Sequence, residues 1–135
     1  MKHTKSAVLS SDEESTHSLT EVLLGAGYDH PQHSHDLAVA KLRTYAPNVL
    51  VVDFDHFKSD KLESIRQLRF VLPECSIIVV SSNLKITWAK QCHMAGANGV
   101  LSTQSSARHM VGGLGFAVKS GCYTDPAFNV AVSGN

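Results

Sequence analysis

The sequence predicts a doubly wound α/β domain, a (βα)₅ parallel sheet with helices on both faces. Three observations carry this prediction. Four short apolar segments, AVL (7–9), VLVV (49–52), SIIVV (76–80) and GVL (99–101), recur with helix-like stretches between them. They are rich in Val and Ile and do not alternate with polar residues, the pattern of strands covered on both sides. Gly or Pro closes the helical stretches, at Gly25 and Gly27, Pro47, Pro73 and Gly96.

The elements follow in order. After the first strand, a helix is expected from about Ser15 to the Gly25-Ala26-Gly27 turn, because Leu19, Val22, Leu23 and Ala26 form one stripe. The following YDHPQHS (28–34) stands where the second strand belongs. With Pro31 and histidines in it, it predicts a short or degraded edge strand. A helix over 35–45 presents Ala38, Leu42 and Tyr45 and stops before Pro47. After the third strand, a helix over 59–72 runs through Leu62, Ile65, Leu68 and Leu72. The fourth helix, 84–95, ends at AGANG (95–99). The fifth, 106–119, contains Gly112, Gly113 and Gly115, each costing about 1 kcal/mol relative to Ala, which predicts a soft helix.

At 135 residues and 43% hydrophobic, the chain has the size and composition of one domain with a real core. It holds no apolar run near the roughly 20 residues of a membrane span. The polar start MKHTKSAVLSSDEES does not read as a signal peptide, so the cytoplasm is the expected compartment. Twelve basic and twelve acidic residues balance. Without a Lys/Arg stripe, nothing here reads as a nucleic-acid surface. Cys75, Cys92 and Cys122 form no CxxC pair and are expected as buried free thiols.

In such sheets, sites form beyond the carboxyl ends of the strands, where strand order reverses. The stretch NVLVVDFDHFKSDKLES (48–64) sends an apolar strand into Asp53, which places a carboxylate at that edge. The neighbouring loops are Ser10-Ser11-Asp12-Glu13-Glu14, Ser81-Ser82-Asn83 and Ser102-Thr103-Gln104-Ser105. Asp12 and Asp53 side by side repel each other unless a cation or proton intervenes. Oxygen ligands of this kind suit Mg²⁺, and a carboxylate beside the metal can attack a phosphoryl group. His30, His33 and His35 invite a Zn²⁺ reading. A loop with Pro31 and no Cys does not fix such ligands, and solvated histidines are the expectation. His56, next to Asp53, is a candidate pH-sensitive group.

With those residues in place, the chain resembles a response-regulator receiver domain, specifically that of the NarL/FixJ (LuxR-type) transcription regulators. The resemblance covers about residues 5–128. It rests on PNVLVVDFD, Leu62-Glu63, SIIVVSS, AGANGVL and VKSGCYTDPAF in that order. It implies the flavodoxin-like receiver fold, with Asp53 as phospho-acceptor and Ser81 as the phosphoryl-sensing hydroxyl. It further implies Mg²⁺, weakly held, on Asp12, Asp53 and the backbone carbonyl of Asp55. Ser11 falls on the family's first acid, Thr103 on its lysine and Val100 on its switch aromatic. His56-Phe57-Lys58 replaces the turn after the acceptor, and Lys58 or Lys85 is a candidate substitute cation. These departures imply an atypical receiver, or pseudo-receiver.

The functional expectation is a non-enzymatic receiver acting as a homodimer through protein contacts, with weak or absent Asp53 phosphorylation. The fourth and fifth helices and fifth strand are the expected docking face, and an exposed Trp88 would serve it. A histidine kinase is a candidate partner. DNA would be reached only through a helix-turn-helix domain beyond a linker starting at 129–135. One alternative is a receiver that does accept phosphate on Asp53. Another is a flavodoxin-like small-molecule or nucleotide binder, although SSDEES offers acids and no Gly for a phosphate. A metal-dependent hydrolase using Asp12 and Asp53 lacks a second catalytic group.

Overall fold

The computed structural model describes residues 4–57 and 60–128. In chain order the elements are β1 (Ser6–Leu9), α1 (Glu13–Gly25), β2 (Gln32–Ser34), α2 (Val39–Tyr45) and β3 (Val49–Asp53). A 3₁₀ turn (Phe54–His56) precedes α3 (Lys61–Val71), β4 (Ser76–Ser81) and α4 (Ile86–Ala95). The chain continues through β5 (Gly99–Ser102), α5 (Ala107–Ser120) and β6 (Tyr123–Thr124). The strands form one parallel sheet in the order β2-β1-β3-β4-β5-β6.

Period-two alternation divides each strand between two apolar layers. Ala7, Leu9, Leu50, Val52, Ile77, Val79 and Val100 face the layer that includes residues of α2, α3 and α4. Val8, Val49, Val51, Ile78, Val80 and Leu101 face the one that includes residues of α1 and α5. Both faces of the central strands are therefore dry, which is why their sequence shows no polar alternation.

Several expectations need correction. The sheet has six strands, because Tyr123–Thr124 pairs with β5 beyond the five predicted. Helix α1 starts at Glu13, since Asp12 is its N-cap and accepts from the Ser15 backbone N–H at 2.9 Å. Helix α2 starts only at Val39. The residues before it are held in a turn, with Ser34 Oγ and the Ala38 N–H both donating to the Asp36 carbonyl. Helix α5 runs unbroken through its glycines. At Gly113 a Cβ would lie 2.7 Å from Tyr123 Cε2 and 2.9 Å from Leu101 Cδ2, so close packing requires the residue that propensity disfavours. Cys75 and Cys92 are buried, and burial pushes both thiols up to about 12. Cys122 is exposed instead. The segment 129–135 lies outside the described residues.

Opposite the carboxyl edge, Arg69 gathers the turns that follow α3 and α4. Its Nη1 donates to the carbonyls of Leu72 (3.0 Å), Pro73 (3.2 Å) and Cys75 (2.8 Å). Nε and Nη2 donate to Gly96 O (3.1 and 2.8 Å), and Nη2 also donates to Asn98 Oδ1 (2.6 Å). One guanidinium thus serves carbonyls at and beyond the ends of two helices.

Candidate functional site

Asp53 is the last residue of β3, opposite Val80, and is 2% exposed. Strand order reverses between β1 and β3, so the site occupies the switch point of the sheet. The β1–β3 register pairs Leu9 with Val52 and carries Ser10 alongside Asp53. Ser10 Oγ donates to Asp53 Oδ2 at 2.8 Å. The 3₁₀ turn then folds His56 back, placing its Nδ1 2.7 Å from the same Oδ2. The Asp55 backbone N–H donates to Oδ1 at 3.2 Å. His56 is held at its other end as well, because Ser11 Oγ donates to its carbonyl. The carboxylate thus has a serine, an imidazole and a backbone amide on it.

The hydrogen bond to Asp53 raises the His56 pKa above its usual 6.5. Partial desolvation opposes this, and the charges of Asp53, Asp12 and Asp55 support it. The sign follows from linkage. A raised folded value means the ionic contact is fully present below pH 6.5 and is lost as pH climbs through the raised value. An NMR titration of His56 should therefore give a midpoint above 6.5 that falls back toward 6.5 in Asp53→Asn. An unshifted midpoint in the wild type would contradict the contact.

Asp12 borders the same cavity as Asp53, and the predicted common rim is present. Its carboxylate is turned to the α1 N-terminus. The hydrogen bond from the Ser15 backbone, followed by that from the Ser15 side chain, holds its pKa below the usual value. Asp55 also uses its side chain: Oδ1 accepts from the Ser82 N–H (2.8 Å) and Oγ (3.0 Å), tying the turn after β3 to the loop after β4.

No protein-family model matches the sequence, and no curated protein matches it. Solved structures do match. A LuxR-family two-component response regulator from Aurantimonas superposes with a TM-score of 0.85 at 15% identity, over 98% of this chain and 97% of its own. The isolated receiver domain of RcsB from Salmonella enterica serovar Typhimurium, solved with the phosphomimetic BeF₃⁻, gives 0.80 at 14% identity over 96% and 98%. The chain has the response-regulator receiver fold. A Burkholderia pseudomallei response regulator, solved with a phosphorylated aspartic acid, a calcium ion and citrate, gives 0.71 at 19% identity over 97% and 72%.

Within this receiver fold the remaining expected residues divide. Ser81 sits at the end of β4, 3% exposed, and its Oγ accepts from the Asn83 N–H (3.0 Å) and Trp88 Nε1 (3.3 Å). Trp88 is half-buried, with its ring 6.2 Å from that of Phe54, and so is not the exposed residue that would have served docking. Thr103 is exposed and lines the cavity shared by Asp12 and Asp53. Val100 is fully buried in the core and offers no rotamer to solvent. Lys58 lies outside the described residues, and Lys85 is absent from the residues lining either cavity beside the site.

The donor set does not form a ready Mg²⁺ site in the arrangement described. Among the described residues no group of three or more His, Cys, Asp or Glu is placed to hold a metal ion. Asp53 Oδ2 already serves Ser10 and His56, and Asp12 caps a helix. The His30, His33 and His35 loop does not converge either. His33 Nε2 lies 3.1 Å from Thr20 Oγ1, and His35 Nδ1 lies 3.3 Å from the Ser10 carbonyl. Ser10 was not singled out by sequence reasoning. Its signal was register: the residue after Leu9 stands beside the one after Val52.

Proposed function

We propose that the chain is an atypical receiver of the NarL/FixJ (LuxR-type) kind. It signals through protein contacts as a homodimer, with phosphorylation of Asp53 weak or absent. The observation that carries this reading is the state of the Asp53 carboxylate, whose Oδ2 is already bonded to Ser10 and His56. Attack through Oδ2 would have to displace both contacts, and the two donors draw charge from the carboxylate and make it a weaker nucleophile. The product would then lack a lysine contact at position 103, a charge-assisted bond of about 1.5–3 kcal/mol. The LuxR-family neighbour supports the LuxR-type reading, and an output through a DNA-binding domain beyond residue 128 is part of the same proposal. Cytoplasmic residence belongs to the same reading, and among the described residues no helix is long and apolar enough to cross a membrane.

Intact mass after treatment with acetyl phosphate and Mg²⁺ tests the reading. The expected mass is unchanged, whereas Asp53→Asn serves as the blank. A gain of one phosphoryl group that disappears in the blank would establish the second reading, a working phospho-acceptor. The phosphorylated aspartate of the Burkholderia pseudomallei neighbour favours that alternative. Light scattering in the same buffer reads the dimer. The nucleotide-binding alternative has the acids Asp12, Glu14 and Asp53 around its cavity, which repel a phosphate.

A further inference from the structure

Acidic and basic residues balance over the chain, yet two of its helices carry one sign each. Helix α1 holds Glu13, Glu14 and Glu21 and no Lys or Arg. Helix α2, in the opposite apolar layer, holds Lys41 and Arg43 and no acid. Helical spacing puts Glu14, His17, Glu21 and Leu24 on one stripe of α1, and all four are exposed. Leu24 ends that stripe as an apolar knob, 45% exposed. On the other side of the sheet, α2 and α3 frame an open groove of about 500 Å³. Val39, Phe70 and Val71 line it together with Glu63, Arg66 and Gln67. Phe70 is 86% exposed, a large apolar side chain left uncovered. Arg66 stands one turn before Phe70, and the exposed Arg43 one turn beyond Val39, so the groove has cations beside it. Glu63 offsets only Arg66, at 3.3 Å, and Arg43 has no ion-pair partner among the described residues.

We propose that this groove receives α1 of a second copy of the chain. Leu24 enters between α2 and α3 against Val39, Phe70 and Val71, while Glu14 and Glu21 meet Arg43 and Arg66. The spacing agrees, since Glu21 lies one turn from Leu24, as Arg43 does from Val39 and Arg66 from Phe70. The occupant is a second copy because a cationic apolar groove is complemented by an acidic helix with an exposed apolar knob, and the chain carries one. The two faces lie on opposite sides of the sheet, so each copy can give and receive at once. The contact is heterologous and builds an open row of copies, unlike a closed homodimer. It does not depend on whether Asp53 accepts phosphate.

Sedimentation velocity over a concentration series tests it. The wild type is expected to grow in size with concentration. Salt at about 1 M, where the screening length is about 3 Å, should weaken the association roughly tenfold, the effect of losing two or three exposed ion pairs. Glu21→Gln with Leu24→Ser removes the inserting face, and Arg43→Gln with Phe70→Ser removes the groove. All four positions are exposed, so both variants should keep the circular dichroism of the wild type. Neither should grow with concentration alone. An equimolar mixture should associate again, because each variant keeps the face the other lacks. The single substitutions Glu21→Gln and Arg43→Gln should each weaken association roughly threefold. A wild type whose size does not change with concentration would overturn the proposal, and so would a mixture whose components stay apart. A closed dimer retained by both double variants would also overturn it, while leaving the homodimer of the proposed function in place.

Discussion

Arg69→Ala is expected to lower the unfolding free energy by about 3 kcal/mol, a large effect for a side chain that is only half-buried. The reason is the number of acceptors on one group. Four carbonyls, of Leu72, Pro73, Cys75 and Gly96, and the Asn98 amide oxygen accept from the same guanidinium, although Leu72 O also accepts from the Cys75 N–H and Asn98 Oδ1 from the Ile77 N–H. Each bond to a charged donor is worth about 1.5–3 kcal/mol when both partners are dry, and less where water can substitute. Arg69→Lys should recover little, since one ammonium cannot reproduce the planar fork. Urea unfolding checks both variants. A loss under about 1 kcal/mol for the alanine variant would mean that water serves these carbonyls adequately.

Phe54→Ala should cost about 3–5 kcal/mol, the usual range for emptying a buried aromatic site. Phe54 is 1% exposed and contacts the rings of Phe57 (5.5 Å between centroids) and Trp88 (6.2 Å). It is also the residue between Asp53 and the segment that brings His56 back. The substitution should therefore have a second effect, a return of the His56 titration toward 6.5 as the turn loses its anchor. Phe54→Leu should keep much of the stability and most of the His56 shift. Thermal or urea unfolding together with the NMR titration separates the two effects. A destabilised Phe54→Ala that retains the full His56 shift would show that the 3₁₀ turn holds itself.

The parts of the fold legible in the sequence were those whose physics is local. Strands β3 and β4 announce themselves because burial on both faces forces continuous Val and Ile. The edge strand β2 was legible from its place in the βα alternation, not from its composition. Strand β6 was not legible at all. Two half-buried residues, Tyr123 and Thr124, gain their strand identity from β5 and from the bond between Thr124 and His93 at 2.8 Å. Arg69 was not singled out in the sequence, since its acceptors come from turns as distant as Gly96.

The site divides in the same way. A carboxylate at the end of an apolar run is conspicuous, and Asp53 stood out accordingly. Asp12 was read as a metal ligand, and its capping of α1 was missed because the helix was expected to start only near Ser15. What Asp53 touches depends on register and on the 3₁₀ turn, neither of which composition encodes. Ser10 was read as one polar loop residue among several, and His56 as a neighbour without a defined bond.

Phe128, the last residue described, is 0% exposed and belongs to the same apolar layer as Phe54. Asp125, just before it, is pinned by the Ser102 N–H, by Ser105 Oγ and by the Ala127 N–H. Burial works against the Asp125 charge, but these donors outweigh it and leave its pKa below the usual value. Residues 125–128 therefore act as a plug in the sheet's interior, and deleting them would uncork the apolar layer around Phe54.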